Sequence, residues 1–589
     1  MEIQKNFDRL YGKQTIYTLK KYSFAPKLSL FWNFSTIKPN SSEHFLIIDF
    51  SNSDKIFDED DLINFFDIFS TNNVFENICL IIQPSFISSK LSKSFHKLFD
   101  LSTHLKSLEL DFSSKNIIRS HIQLQNLFGT LRRLKSLQIF KCSLENIFIN
   151  EEVLTRIGRE IEDLSLLEIS LNLKQTNVTP NSLINLSFFL SKISTLLKMT
   201  LNVRNTDLKL TKDDLTTIFK QFKGLKQLIQ LHLDFRRTNI QLIDIIYIIR
   251  KCLKPITFPK LQHFHLSANN LNSFDFDQGK FLYYLQRKVT SFAKETSHTE
   301  MKSLVLKMKR NQFINESFMI FFSFFKKMSN LCNLTLRLKE NNISFKIYLQ
   351  FLFKINIENL SLDYCQSETE IMTPNFLQKH NYLDKLKKLT LKFSFCSNGP
   401  IEEMLQIFKG FPNLEDLNMT LSCFKSILLK QKSCNILCKS FPKLKRFKLT
   451  INHSFDLNEI GISNFFQGLK GLKLMECLDL TLSISPSLEL DEAFLHLVDT
   501  LPKLKLLNKF CLNFITIDKI ALGKEIRKKL GITLLKLNNF VCYQSEDKLL
   551  NKIFLQKYRL VFVALVLKIE LRYSLKRMKI LEEILFYLI

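Results

Sequence analysis

The chain has 589 residues, of which 46% are hydrophobic and 24% are charged, and this balance excludes wholesale disorder. Its 83 basic and 56 acidic residues give a formal net charge of +27, which keeps nucleic acids, anionic membranes and acidic proteins open as partners. With 12 Gly and 12 Pro, the composition excludes collagen-like and low-complexity folds.

The chain begins without an apolar run of signal-peptide length, which predicts that the protein is not secreted. The longest apolar stretches, such as Phe318–Phe325 and Leu560–Leu567, are much shorter than the roughly 20 residues that cross a bilayer, so no membrane partner is predicted. The 12 Cys include no CxxC pair and no matched Cys/His spacing, so neither a disulfide framework nor a zinc site is indicated. We therefore predict an intracellular protein, cytoplasmic or nuclear.

A pattern of large apolar residues, L-x-x-L-x-L with Phe, Ile or Met allowed, recurs about every thirty residues. The clearest copies begin at Leu105, Leu134, Leu164, Leu196, Leu228 and Leu261. Further copies begin at Met301, Leu331, Ile357, Leu386, Leu414, Leu444, Met475 and Leu507, and weaker ones at Phe45, Phe75 and Ile532. The pattern predicts an array of about 16–17 repeats.

Each copy changes its apolar period part-way, as a strand followed by a helix does. In LELDF, which starts at Leu108, and LTLRL, which starts at Leu334, apolar residues alternate at period two. About fifteen residues after such a strand come segments like DDLTTIFKQFKGL, which starts at Asp213 and has apolar residues three and four apart. Each repeat is therefore predicted to contain one short strand and one helix.

The copy LQHFHLSANNL, which starts at Leu261 and contains Asn269, resembles the leucine-rich repeat, and the resemblance covers about residues 45 to 540. The repeat length and the helix in each unit resemble the ribonuclease-inhibitor-like subclass. The resemblance implies an α/β leucine-rich-repeat solenoid, a horseshoe with a parallel concave β-sheet and convex helices. In several copies the Asn falls later, as at Asn116, Asn239 and Asn342, so we predict that the family's asparagine ladder is irregular here.

Three segments are predicted: an N-terminal cap over residues 1–44, the repeat array over 45–545, and a C-terminal helical cap over 546–589. Terminal repeats of a solenoid need a cover, because each repeat buries its apolar face only against a neighbour. The amphipathic C-terminal segment has a second interpretation, in which it docks on a partner helix.

Side chains between the core positions of each strand project from the concave face, so the register predicts columns of binding residues. In the copies from Leu134 and Leu164, these columns contain Gln138, Phe140, Glu168 and Ser170. Farther along, the face gathers basic residues, which we predict to bind an acidic partner: Lys307, Lys309, Arg337, Lys339, Lys388 and Lys392. The alternative is an ordinary solvated face with no partner.

A second candidate on the same face consists of His232, Asp234, His263 and His265, which neighbouring strands bring together. We assign these residues to partner binding. Zinc uses such ligands, but a polar surface is the favoured interpretation, and no metal is predicted. The repeat from Leu261 is also the longest, with extra residues at 272–280 or 294–300, which form either a binding-side loop or an inert one.

The chain contains no GxxxxGK phosphate cradle, no HExxH and no GxSxG motif, so we predict no enzymatic activity, no catalytic residues and no cofactor. The predicted function is a protein–protein interaction scaffold that binds its partner on the concave face. One alternative is a basic nucleic-acid-associated protein, although its basic residues are not interleaved with aromatic platforms. A second alternative, GTPase activation, depends on fold analogy alone and names no residue. The partner and the oligomeric state are not predicted.

Overall fold

The computed structural model describes residues 2–6, 15–20, 44–49, 76–82, 89–114, 118–119, 122–269, 300–310, 328–339, 357–366, 384–395, 411–422, 441–452, 459–483, 490–515 and 541–544, together with residues 318, 341, 343, 525 and 529. The chain divides into two units, which we call unit 1 (Met1–Ile343) and unit 2 (Ser344–Ile589). The predicted cap over 546–589, the predicted loop at 272–280 and the starts at Phe75 and Ile532 lie outside the described residues.

Unit 1 contains a long sheet built from one short strand per repeat. Its strands are β1 (Glu2–Asn6), β2 (Thr15–Lys20), β3 (His44–Asp49), β4 (Asn77–Ile81), β5 (Ser107–Asp111), β7 (Ile139–Ser143), β9 (Glu168–Asn172), β10 (Lys198–Asn202), β11 (Gln230–Asp234), β12 (His263–Ser267), β13 (Ser303–Lys307) and β14 (Asn333–Arg337). Strand β1 pairs antiparallel with β2, and every later strand pairs parallel with the one before it in this series. The strands β6 (Ile118–Arg119) and β8 (Ile147–Phe148) pair separately.

The described helices of unit 1 follow the strands, as the change of period predicts. They are α1 (Ser89–Leu101), α2 (Ile122–Phe128), α3 (Glu151–Ile161), α4 (Pro180–Leu190), α5 (Lys212–Gln221) and α6 (Leu242–Cys252), with 3-10 turns at Leu131–Arg133 and Phe222–Gly224. Local chemistry fixes where they begin. Thr179 caps α4 in a reciprocal capping box with Ser182, and Thr211 caps α5 in one with Asp214.

Unit 2 repeats the same plan. Its strands are β15 (Asn359–Gln366), β16 (Lys388–Phe395), β17 (Asp416–Ser422), β18 (Arg446–Asn452), β19 (Cys477–Ser483), β20 (Lys509–Ile515) and β21 (Val541–Gln544), all parallel to their neighbours. Its described helices are α7 (Glu459–Gly468) and α8 (Asp491–Thr500), with 3-10 turns at Leu469–Gly471 and Leu501–Lys503.

The apolar residues of the repeat pattern are buried in the core. In β11, for example, Leu231 and Leu233 are buried and pair in register with Phe264 and Leu266 of β12, which are also buried. A fully buried side chain of this size contributes about 1.5–3 kcal/mol, and each rung obtains it only from its neighbours. Both units therefore have the α/β leucine-rich-repeat solenoid fold that the pattern predicts. Within the described residues, no helix is both long and apolar enough to cross a membrane.

Two copies lie in a different register from the predicted one. The copy expected at Leu134 has its core at Leu137, Phe140 and Cys142, because Phe140 and Cys142 pair with the core residues of β5. Leu134 instead closes the preceding 3-10 turn, where its backbone N–H donates to the carbonyl of Leu131 at 3.0 Å. Ile139 completes an L-x-x-L-x-L match from Leu134, whereas the core ends in Cys142, a residue type outside the pattern.

The copy expected at Leu164 is shifted in the same way. Its core is Leu166, Ile169 and Leu171, whereas Leu167, which was expected to be buried, is 36% exposed. The columns change accordingly. Lys141 and Ser143 replace Gln138 and Phe140, and Ser170 and Asn172 replace Glu168 and Ser170.

The first and last predicted starts are also corrected by strand pairing. Leu46 and Ile48 of β3 are the register partners of Ile78 and Leu80, so the copy does not begin at Phe45. At the other end, the strand after β20 is β21 at Val541–Gln544, so this copy does not begin at Ile532. The strands β1 and β2 fall inside residues 1–44, and the assignment of that segment as a cap stays a prediction.

A threonine replaces the expected asparagine at one buried turn position. Thr176, Thr206 and Thr238 are buried, and each hydroxyl donates to the backbone carbonyl three residues earlier, at 2.7, 2.8 and 2.7 Å. In the repeat of β14, Asn341 holds this position and donates to the carbonyls of Met308 and Leu338, both at 2.9 Å. The ladder is thus mixed, with Asn341 as its asparagine in this repeat, and the predicted Asn342 lies outside the described residues.

Candidate functional site: the open face of the array

The open face of unit 1 is the side of the sheet that carries the side chains lying between the core positions. Its first column lies between the two strand core residues and contains Lys141, Ser170, Thr200, His232, His265, Val305 and Thr335. Its second column follows the last core residue and contains Ser143, Asn172, Asn202, Asp234, Ser267, Lys307 and Arg337. The first column is half-buried throughout, so its side chains remain available for contact.

Polar side chains link the early rungs of the second column. The amide of Asn202 donates to the side-chain oxygen of Asn172 at 2.8 Å, and the Asn172 amide donates to the Ser143 hydroxyl at 2.9 Å. The side-chain oxygen of Asn202 also accepts the backbone N–H of Arg204 at 3.1 Å, which closes a local turn. These bonds order the ends of the strands and hold the turns after them in register.

Asp234 and Arg236 form a fixed ion pair in the next rung. The Arg236 guanidinium donates to both carboxylate oxygens, with Nε at 2.9 Å from Oδ1, and the Arg236 backbone N–H donates to Oδ1 at 3.1 Å. Burial alone would raise the pKa of Asp234, but these hydrogen bonds and the positive charge hold it below its ordinary value. Asp234 is therefore a structural anion with its partner on the same turn.

His232 and His265 stack on adjacent strands. Their ring centroids are 3.9 Å apart and their planes are inclined by 9°, and His265 Nε2 lies 3.2 Å from the Ser267 hydroxyl. Burial lowers the pKa of both rings, and the charge of His232 helps to lower that of His265 to about 3. The pair is therefore neutral at physiological pH and offers a planar, rigid surface.

The predicted histidine group is only partly assembled. His263 lies one position before the core residue of β12 and is exposed, while the stacked pair forms without it. Within the described residues, no group of three or more His, Cys, Asp or Glu side chains has the arrangement of a metal site. The pair therefore remains a candidate for contact with a partner.

The predicted basic residues divide between the units. In unit 1, Lys307 and Arg337 are register partners on β13 and β14, and Lys309 and Lys339 follow them at the turns. Burial, followed by the positive charges of Arg337 and Arg236, lowers the pKa of Lys307. Like charges thus face one another across adjacent strands, an arrangement that disfavours the folded state unless an anion compensates for it.

Basic residues of unit 2 are neutralised by neighbouring acids. Lys388 lies 3.3 Å from Asp416, which also accepts a hydrogen bond from Arg446 at 3.2 Å. Similar pairs join residues just before the strands, Lys387–Glu358 at 3.6 Å and Lys445–Glu415 at 3.0 Å, and Lys448 pairs with Asp479 at 2.6 Å between the core positions of β18 and β19. Lys392 is exposed and lies in register between Asp363 and Thr420. Lys388 therefore lies beside an acidic residue, whereas the register partner of Lys307 is the basic Arg337.

Sequence reasoning identified Lys309 and Lys339 at the turns but missed their counterparts in earlier rungs. Arg236, Lys174 and Arg204 occupy the same position, three residues after the last core residue of successive rungs. Alternation at period two ends with the strand, so it gives no direction for a side chain beyond that point. These basic residues can be found in the sequence because they recur three positions after the last core residue of successive strands. Lys174 fits this rule only in the corrected register, in which the copy begins at Leu166.

An apolar cavity of about 20 Å³ lies between the sheet and helices α4 and α5, and is lined by residues such as Leu186, Leu201 and Phe219. Its size corresponds to a single water molecule at most, and its walls carry almost no polar surface. It belongs to the core and not to a substrate site.

No protein-family model matches the sequence, and no curated protein matches it. A similar solved structure is a crystal structure of the Rad7 and Elc1 complex in yeast. The matched chain is 15% identical, and the match covers 68% of this chain and 84% of that one with a TM-score of 0.34. This likeness is too low to carry an argument about function, so the fold assignment depends on the repeat register.

Proposed function

We propose that this protein is a non-enzymatic scaffold that binds a macromolecular partner, a protein, on the open face of its leucine-rich-repeat array. The observation that supports this most is the pair of continuous side-chain columns, which stay in register from β7 to β14. Parallel strands lie about 4.8 Å apart, so the columns form a wide surface whose side chains are ordered before binding. Preorganisation of this kind lowers the entropic cost of association.

The finer assignments have separate support. The described strand-and-helix repeats of about thirty residues favour the ribonuclease-inhibitor-like subclass. The stacked His232 and His265 and the basic pair Lys307 and Arg337 are the contacts we assign to the partner. An intracellular location, cytoplasmic or nuclear, stays a prediction, as do the alternatives of nucleic-acid association and GTPase activation.

The proposal is tested by affinity purification of the full tagged chain from the cells that express it. A variant with Ser170→Arg, Thr200→Arg and Thr335→Arg adds bulk and charge along the first column of the open face. The matched control carries Asn181→Arg, Asn185→Arg and Thr217→Arg, which add the same groups at exposed positions on helices α4 and α5. We expect a stoichiometric protein partner with wild type and the control, and at least about a tenfold loss with the open-face variant. Retention of the partner by the open-face variant would contradict the proposal.

A further inference from the structure

The turns after strands β9–β14 form a second ordered surface beside the open face. Their backbones stack as the strands do: the Gln175 N–H donates to the carbonyl of Arg204 at 2.9 Å, and the Arg310 N–H donates to that of Lys339 at 3.0 Å. Left-handed residues recur at this turn, among them Arg237 with φ 56° and Arg310 with φ 57°. The same turn is therefore built repeatedly, and it presents the same side-chain positions at each rung.

These positions are predominantly basic. We call them the basic rim, which consists of Lys174, Arg204, Arg236, Arg237, Lys307, Lys309, Arg310, Arg337 and Lys339. The acidic residue among the described rim positions of these rungs is Asp234, which pairs with Arg236, and Glu145 of the preceding rung pairs with Lys174. The positive charge increases toward β13 and β14, where Lys307 faces Arg337 in register.

Among the described residues of unit 1, Lys307 and Arg337 are register partners of like charge, and the carboxylate whose charge acts on Lys307, Asp234, is already paired with Arg236. In unit 2, the strand starts alternate in sign, as Glu358, Lys387, Glu415 and Lys445 show. Like charges directly opposite each other on adjacent strands are destabilising, so a cationic pair in register lowers the stability of the free protein. An anionic partner would offset that cost, and it would bind more tightly for the same reason.

We propose that the basic rim is the docking surface for an acidic, extended segment of a protein partner that crosses the ends of strands β9–β14. This inference rests on the proposed scaffold function and names the chemistry of the partner. Five steps of about 4.8 Å give a rim of roughly 24 Å, the length of about seven extended residues.

The side chains at the described turn positions favour polypeptide over nucleic acid as the occupant. The described positions one, three and four residues after the last core residue of strands β9–β14 hold no aromatic side chain on which a base could stack, and stacking platforms are typical of single-strand binding.

The test measures binding of a fluorescein-labelled peptide of about ten glutamates, a length that covers the rim, to the full chain at low salt. The rim variant carries Lys307→Glu, Arg337→Glu and Lys339→Glu. The control variant carries Lys212→Glu, Lys220→Glu and Lys223→Glu, which change the net charge equally at exposed positions on α5 and the turn after it. A second variant with Gln at the three rim positions removes charge without reversing it, and circular dichroism checks that all variants fold.

We expect the dissociation constant to rise at least about tenfold in the rim variant, less in the Gln variant, and by under about twofold in the control. Equal weakening in rim and control variants would overturn the inference, because only net charge would then matter. Absence of peptide binding would overturn it too, as would tighter binding of an oligothymidylate that displaces the peptide. If the rim variant still recovers the cellular partner while the open-face variant loses it, the rim assignment fails and the scaffold function stands.

Discussion

Removal of Arg236 should expose how strongly the open face depends on one ion pair. The Asp234 side chain is 6% exposed and the Arg236 side chain is 34% exposed. Breaking a fully buried ion pair costs about 3–5 kcal/mol. Because the arginine is partly exposed, the cost should approach that of an unsatisfied charged hydrogen bond. We therefore expect Arg236→Ala to lower the free energy of unfolding by about 2 kcal/mol. The measurement is urea denaturation at pH 7, followed by intrinsic fluorescence or circular dichroism.

The pH dependence has a definite sign. Arg236 holds the folded pKa of Asp234 below its unfolded value of 3.8, so the pair stabilises the fold above that value and the contribution is lost as pH falls through the folded pKa. The difference between wild type and Arg236→Ala should therefore be largest at pH 7 and shrink at acidic pH. In the double variant that carries both Arg236→Ala and Asp234→Asn, part of the stability lost in Arg236→Ala should be recovered, because no unpaired carboxylate remains.

Arg237→Ala is the matched control, because Arg237 is the exposed neighbour and alanine meets the same φ of 56°. We expect it to change the free energy of unfolding by less than about 0.5 kcal/mol. If Arg236→Ala costs no more than Arg237→Ala, or if its cost does not depend on pH, the pairing argument is wrong.

Three further predictions concern packing, the buried turn and the histidine stack. Gly224→Ala should destabilise the fold by about 1–3 kcal/mol in urea denaturation, because a Cβ would lie 2.4 Å from the Ser191 carbonyl oxygen; an unchanged midpoint would refute this close contact. Thr206→Val should cost about 1 kcal/mol and the exposed Thr217→Val less, and equal costs would show that the buried hydroxyl bond is unimportant. His265 should titrate by NMR near its pKa of about 3 and not near 6.5; since the folded ring binds protons less readily than the unfolded one, its effect is to lower stability as pH falls through this window.

The sequence predicts the fold well because each rung repeats the same burial. At Leu228 and Leu261 the complete L-x-x-L-x-L match coincides with the strand core, and the core residues and the columns are those expected. The prediction is wrong at Leu134, because Leu134, Leu137 and Ile139 form a complete match although strand pairing places the core at Phe140 and Cys142. The shift of three positions moves Phe140 from the expected open face to the core, so a wrong register also assigns residues to the wrong face.

The candidate site is predictable to a smaller extent. Parity along the strand places His232 beside His265, and the structure brings them into a stack. Parity gives no information about ion pairing. Lys388 and Lys307 therefore look alike in the sequence, although Lys388 has an acidic neighbour and Lys307 has a basic one. Whether a charge is neutralised depends on the residue about thirty positions away, at the matching row of the next repeat.

The measurement that tests the account most directly is zero-length carbodiimide cross-linking of the full chain with its co-purified partner, analysed by mass spectrometry. This reagent joins a lysine amine to a carboxylate that touches it. We predict links from Lys307, Lys309 and Lys339 to acidic residues of the partner. Links confined to the helix-side lysines Lys212, Lys220 and Lys223 would contradict both the basic rim and the open face as the binding surface.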